Sequence, residues 1–345
     1  MNHLGHRLIV CVALASCTRG GGDTSAAPSA PSTTSSPRAN PTAPAPRPSP
    51  SARAPAAPLR ELPPARVSGG RRVVAIGDLH GDLDVTKSVL RLVGAIDASD
   101  HWSGGNLIVV QVGDQLDRGD QERGILALIE QLEVEAPRAG GAFYALNGNH
   151  EIMNAQADFR YVTPGGYRDF DGTPTRPDWE PLLSRVPPAM RSRVAAFAPG
   201  GEWARRLAAH NTVMVVGDTV YAHGGLLPAH VDYGLERLNL AMRDYLLGTA
   251  RELPSVLEGE DSPFWHRLFA VRDDEATCGL LAQMLTRVGA QRLVIGHTVQ
   301  QRGINAACDG RVWRIDVGLS RYYNGPVQAL ELVQGQPPRI LSGTR

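Results

Sequence analysis

Three short apolar runs, each broken off by a glycine and a knot of polar side chains, constrain this chain more than anything else in it. Arg71-Arg-Val-Val-Ala-Ile-Gly77 stops at Asp78-Leu79-His80-Gly81-Asp82, and Asn106-Leu-Ile-Val-Val-Gln-Val112 stops at Gly113-Asp114-Gln115-Leu116-Asp117-Arg118-Gly119. Gly141-Ala-Phe-Tyr-Ala-Leu146 runs into Asn147-Gly148-Asn149-His150-Glu151. Short apolar runs bounded by turn residues read as buried strands, and amphipathic helical patterns follow the first two, over Leu83 to Val93 and Gln121 to Glu135. Strand, loop and helix in repetition predict an α/β fold with parallel strands, which hold their ligands at the carboxyl ends.

Taken singly, each polar knot is what an ordinary turn looks like, with glycine for the tight backbone and aspartate for a helix cap. Their coincidence at three strand ends is what points to a site. Asp78 and His80, two apart in one loop, can reach a single cation, while Asn149 sets an amide oxygen beside the imidazole of His150. The pattern recurs downstream. Strands over Thr212 to Val216 and Thr219 to Ala222 lead to His223-Gly224-Gly225, and the strand Arg292 to Ile295 ends in Gly296-His297-Thr298. Helical periodicity covers Leu235 to Leu247 and the region from Leu280 to Val288, and β-rich runs from Val312 to Val317 and Val327 to Val333 close the chain. Between the latter, Asp316 is placed to orient a histidine from behind.

Residues 152 to about 210 break the alternation. They are rich in Gly, Pro, Arg and aromatics, with a helix expected from Gly201 to Ala209, and read as a cap-like insertion over the site. Arg160 and Arg168 within it are either substrate contacts or partners of ion pairs inside the cap.

The amino terminus is of another kind. Residues 1–17 have a signal-peptide layout: Arg7, then the apolar Leu8-Ile-Val-Cys-Val-Ala-Leu14, too short to span a bilayer. Leu14-Ala15-Ser16-Cys17 resembles a bacterial lipobox, making Cys17 the expected site of lipidation; an ordinary secretory signal is the alternative. Residues 18–70, mostly Ala, Pro, Ser and Thr, have almost nothing to bury and are expected to be an extended linker. The domain is expected over 71–345, exported and anchored to the periplasmic face of the outer membrane. With 35 basic against 35 acidic residues the chain lacks the excess that a nucleic-acid partner requires. Two of four cysteines fall in the signal region, leaving Cys278 and Cys308, which an exported protein could pair; sequence does not give their separation.

The set Gly77-Asp78-Leu79-His80-Gly81, Gly113-Asp114-Gln115-Leu116-Asp117-Arg118-Gly119, Gly148-Asn149-His150-Glu151, His223-Gly224-Gly225 and Gly296-His297-Thr298 resembles the calcineurin-like metallophosphoesterases, most of all their phosphoprotein-phosphatase branch. Glu151-Ile-Met-Asn154 with Asp158-Phe-Arg160-Tyr161 is similar to the Shewanella-like phosphatases. The resemblance implies a β-sandwich flanked by helices. It implies that Asp78 and His80 hold a first metal, that Asp114 bridges, and that Asn149, His223 and His297 hold a second, the ions being manganese with iron or zinc as alternatives. It makes His150 the general acid, oriented by Asp117, and Arg118 a clamp on phosphate. The second phosphate-binding arginine of the eukaryotic Ser/Thr enzymes, in an Asn-Asp-Arg-Gly segment, has no counterpart here. Arg267 in Phe264-Trp265-His266-Arg267 is the candidate replacement, with a rim arginine beside an aromatic as the plainer reading. The expected activity is metal-dependent hydrolysis of a phosphoprotein or small phosphate ester. A nucleotide or diadenosine polyphosphate hydrolase and a non-catalytic phosphate-binding lipoprotein are the rivals.

Overall fold

In the computed structural model, which describes residues 60–345, the strands are β1 (Arg66–Val67), β2 (Arg72–Ile76), β3 (Ile108–Gln111), β4 (Ala142–Ala145), β5 (Val213–Val216), β6 (Thr219–Ala222), β7 (Arg292–Ile295), β8 (Asn305–Ala307), β9 (Val312–Arg314), β10 (Val327–Val333) and β11 (Arg339–Gly343). They form two sheets, ordered β11-β10-β2-β3-β4 and β1-β5-β6-β7-β9-β8. Alternation along the second sheet decides the layering. Val213, Val215, Val220, Ala222, Leu293 and Ile295 pack in one core with the helices Leu235–Leu247 and Glu275–Val288. Their neighbours Met214, Val216, Tyr221 and Val294 pack in another with β2 and β3. Successive strand side chains point to opposite faces, so this sheet is buried on both. The helices Leu83–Leu92 and Glu122–Arg138 bury Val85, Val89, Ile125, Ile129 and Leu132 in the core of the first sheet. The result is the expected sandwich of sheets flanked by helices.

Register brings the polar knots together. β2, β3 and β4 are parallel, with Ile76 opposite Gln111 and Gln111 opposite Ala145, so their following loops leave at one edge. β6 and β7 are parallel with Ala222 opposite Ile295, which sets His223 and His297 just beyond aligned strand ends.

The linker was expected to run to residue 70, and the structure moves that boundary. Residues 60–67 belong to the fold: β1 pairs parallel with β5, Ala65 is buried, and its N–H donates to Glu236 Oε1 at 2.9 Å. Arg60 pairs with Glu133, Asn211 Nδ2 donates to Pro63 O at 3.1 Å, and Arg243 Nη2 to Arg60 O at 2.9 Å. The expected signal segment, Cys17 and the rest of the expected linker lie outside the described residues. β8 and β11 are additions that the composition of Asn305–Ala307 and Arg339–Gly343 did not announce. Cys278, on the helix Glu275–Val288, and Cys308, just past β8, form a disulfide with a Cα–Cα distance of 5.3 Å. The insertion is helical and carries the segments Pro164–Asp169, Arg191–Phe197 and Glu202–Leu207. Among the described residues no helix is long and apolar enough to cross a membrane.

Candidate active site

The loops that meet at the strand ends are held in unusual backbone. His80, Asp114, Asp117, Arg118 and His297 all have positive φ, from 47° to 67°, a region L side chains seldom adopt without being forced. What forces it is a set of close approaches. A Cβ on Gly148 would lie 2.2 Å from Asp114 Oδ1, so only glycine lets that loop past the carboxylate. Glu151, the third residue of the helix Asn149–Ala155, is buried and accepts from four backbone N–H groups, those of Asp114, Gln115, Leu116 and Gly148, at 2.6–3.2 Å. One side chain thereby pins two of the loops.

Asp114 lies at the centre of the cluster. His80, Asp114 and His150 converge on one side and Asp114, His223 and His297 on the other, with the potential ligand atoms of each group within 4.8 Å of one another. All are buried. Asp78 lies at the rim of the first group, its Oδ2 3.9 Å from His80 Nε2, and accepts from the backbone N–H of His297. Asn149 enters the second group, its Oδ1 2.9 Å from His223 Nε2, while its amide nitrogen is turned to Met153 Sδ.

The donor set suits a metal. His223 has acceptors at both ends: Nδ1 faces Val112 O at 2.9 Å, and Nε2 faces Asn149 Oδ1, with Asp114 Oδ1 at 3.3 Å and His297 Nδ1 at 3.2 Å. Such an arrangement requires positive charge at Nε2, supplied by a proton or a metal ion. Burial by itself would lower the pKa of His223, but Asp114 and Asp78 outweigh it and raise the ring to about 9. His80 likewise has Nδ1 on Leu116 O at 3.0 Å, leaving Nε2 toward the carboxylates. Burial and the facing His150 press it down to about 3, keeping it a neutral ligand. Burial and the nearby Asp316 hold the Asp78 carboxyl well above its ordinary range. Buried carboxyl groups, an amide oxygen and imidazole nitrogens crowded together fit divalent cations, which would take the place of the protons held on Asp78 and His223.

His150, a member of the first group, has a second partner outside it. Its Nδ1 is 2.6 Å from Asp117 Oδ2, and its Nε2 lies 3.7 Å from Asp114 Oδ2. Burial would lower its pKa, but Asp114 and the hydrogen-bonded Asp117 more than compensate and raise it. Arg118 lies among the rings of Tyr161, Tyr322 and Tyr323, at 4.9, 5.9 and 5.1 Å, with Nη1 2.6 Å from His80 Nε2. It borders a cavity of about 360 Å³ lined also by Asp82, Arg321 and Tyr322. Arg267 reaches the opposite side, donating to His297 O at 3.1 Å and Thr298 Oγ1 at 2.9 Å.

One expectation changes. Asp316 has no histidine in hand: its Oδ1 accepts from Gly318 N at 2.9 Å, so it turns its own loop and acts on Asp78 by charge alone. Of the two readings open for Arg160, an ion pair inside the insertion is the one seen, with Nε donating to Asp158 Oδ1 at 2.9 Å. Sequence reasoning missed Tyr322, Tyr323, Glu122 and above all Arg193; an arginine beside Val194-Ala-Ala-Phe197, in an otherwise apolar run, was the one signal for the last.

A model of the calcineurin-like phosphoesterase family matches residues 71–301. Shewanella-like protein phosphatase 2 of Arabidopsis thaliana is 39% identical over 316 residues, taking in 82% of this chain and 80% of the plant protein. Shewanella-like protein phosphatase 1 of Plasmodium berghei is 26% identical over 261 residues, covering 73% of this chain and 68% of its own. Among solved structures, the cold-active protein-tyrosine phosphatase of a psychrophile Shewanella sp. is similar with a TM-score of 0.64 at 24% identity, over 82% of this chain and 83% of that one. This last likeness bears on the fold.

Proposed function

The chain belongs to the calcineurin-like phosphoesterase family, and on that premise we propose that it is a phosphoprotein phosphatase of the cell envelope. One observation carries the catalytic part: a buried imidazole, His150, bonded at Nδ1 to Asp117, with Nε2 facing the cluster around Asp114. A module that only binds phosphate has no need of a held proton donor there. His150 gives its Nε2 proton to the leaving ester oxygen as the P–O bond breaks, and Asp117 keeps the ring turned for it. Asp78 and His80 would hold one divalent ion and Asn149, His223 and His297 the other, with Asp114 common to both groups. When bound, the ions supply an activated water and neutralise phosphoryl charge in an in-line displacement. The mixture of oxygen and imidazole donors admits manganese, our first choice, with iron or zinc as alternatives. Arg118 offers a planar fork to two phosphate oxygens, and Arg267 a second cation from the other side. That the named relatives are protein phosphatases supports a phosphoprotein substrate.

The test is hydrolysis of para-nitrophenyl phosphate, a phosphotyrosine peptide and a phosphoserine peptide by the full chain, metal-stripped and then resupplied with manganese. Turnover should appear only with metal, and the peptide ratio decides between tyrosine and serine preference. Metal uptake without turnover of any ester would leave a binding module instead. Turnover confined to nucleotide or diadenosine polyphosphates would change the substrate class.

The lipobox-like Leu14-Ala15-Ser16-Cys17 supports an exported protein held at the periplasmic face of the outer membrane through lipid on Cys17. Cys17→Ser should abolish incorporation of labelled fatty acid; undiminished labelling would refute the anchor.

A further inference from the structure

The helix Arg191–Phe197 of the insertion buries an entire arginine. Arg193 is 0% exposed, and its guanidinium is spread over both sides of the site's polar backing. Nε donates to Asn154 Oδ1 at 2.7 Å, Nη1 to Gly166 O at 2.9 Å, and Nη2 to Asp117 Oδ1 at 3.0 Å. Nη1 also lies 2.7 Å from Glu122 Oε2, whose other oxygen accepts from the Asp117 N–H at 3.1 Å. The rings of Phe170 and Phe197 lie 5.2 and 5.1 Å from its guanidinium carbon. Burying charges this completely costs several kcal/mol before any partner is met, and apolar side chains of similar volume often serve stability as well or better. Packing alone therefore gives no reason for a cation here. Asp117 does. Its Oδ1 accepts from both Arg193 and Asn154 Nδ2, at 3.0 and 2.9 Å, so only Oδ2 is left for His150.

We propose that Arg193 is a positioning residue for the leaving-group proton: by holding Asp117 Oδ1 it fixes the carboxylate plane, and through Oδ2 the ring of His150. The insertion then does more than cover the site, since its helix supplies the outermost member of an Arg193–Asp117–His150 chain. This rests on the reading of His150 as the acid.

A double-mutant cycle on the full metal-loaded chain tests it, with Arg193→Met and His150→Ala alone and together, on phenyl phosphate and para-nitrophenyl phosphate. The two esters are close in size and differ in how much the leaving oxygen needs a proton. Arg193→Met should lower kcat about thirtyfold on phenyl phosphate but no more than about threefold on the nitrophenyl ester. In the His150→Ala background it should cost almost nothing further, because the two act as a unit. An equal loss on both esters, or the same loss with and without His150, makes Arg193 a structural ion pair and overturns the proposal while leaving His150 the acid. If His150→Ala itself spares phenyl phosphate, the reading of the acid falls and takes this one with it. Should Arg193→Met not fold, Arg193→Lys, which keeps charge but loses the fork, is run through the same cycle against the same outcomes.

Discussion

His150 and Gly148 sit two residues apart and fail in different ways when changed. His150→Ala removes a proton donor and leaves the ligands in place, so turnover of an ester with a poor leaving group should fall roughly a hundredfold or more with metal content unchanged. Gly148→Ala drives a methyl to within 2.2 Å of Asp114 Oδ1 and should displace the carboxylate shared by both halves of the cluster. Metal content by mass spectrometry separates the two, staying level in the first variant and dropping in the second. A third residue, His230 on the helix Pro228–Tyr233, contributes to acid stability. Burial, and then the like charge of His266, presses His230 from its ordinary 6.5 down to about 4. It is neutral in the fold while the unfolded chain takes up its proton, so stability is lost as pH falls from about 6.5 to 4, by up to about 3 kcal/mol. Thermal unfolding followed across that range should show the loss, and His230→Gln should flatten it; an unchanged slope would assign the acid limb elsewhere.

At the level of elements, the disulfide closes a stretch whose cysteines are 30 residues apart and ties the helix Glu275–Val288 to the end of β8. Closing a loop of that length restricts the unfolded chain by roughly 3.5 kcal/mol, so Cys278→Ala with Cys308→Ala should lower the unfolding free energy by about that much, read by denaturant titration. The strands that deliver the site were legible because the signal is local: an apolar run, a glycine and a ligand lie within ten residues, as from Val73 to His80. What was illegible depends on distance along the chain. Arg193 meets Asp117 across 76 residues, and no local pattern says whether such an arginine is exposed or enclosed. The pairing of Cys278 with Cys308 was open for the same reason. β1, at Arg66–Val67, has two residues, too short for any periodicity to mark it off from the Pro-rich sequence before it. Asp316 went wrong because a carboxylate near histidines in sequence need not turn toward them; its bond to Gly318 N satisfies it at home.

For the whole molecule, the cluster joins both sheets, since Asp78, Asp114 and Asn149 follow strands of one and His223 and His297 follow strands of the other. Ions held there would bind the folded state alone. At a hundredfold excess over its dissociation constant each ion should add about 2.7 kcal/mol, or about 5–10 °C in Tm, and a chelator should remove that increment reversibly. A Tm indifferent to chelator and manganese would mean that the ions bind weakly or outside this junction. The docked segment 60–67 has a consequence of a mechanical kind. If the chain is tethered at its amino terminus, any pull reaches the domain first at Arg60, which is clasped to Glu133 and Arg243, and then runs along β1 in line with β5. Loading along the strand strains its hydrogen bonds together, in shear, whereas a perpendicular pull would peel them one by one. Drag on the domain is thus taken up at an edge strand of the β5 sheet, beside Asn211, which bonds both Pro63 O of the docked segment and the N–H of Asn147 at the foot of the ligand-bearing loop.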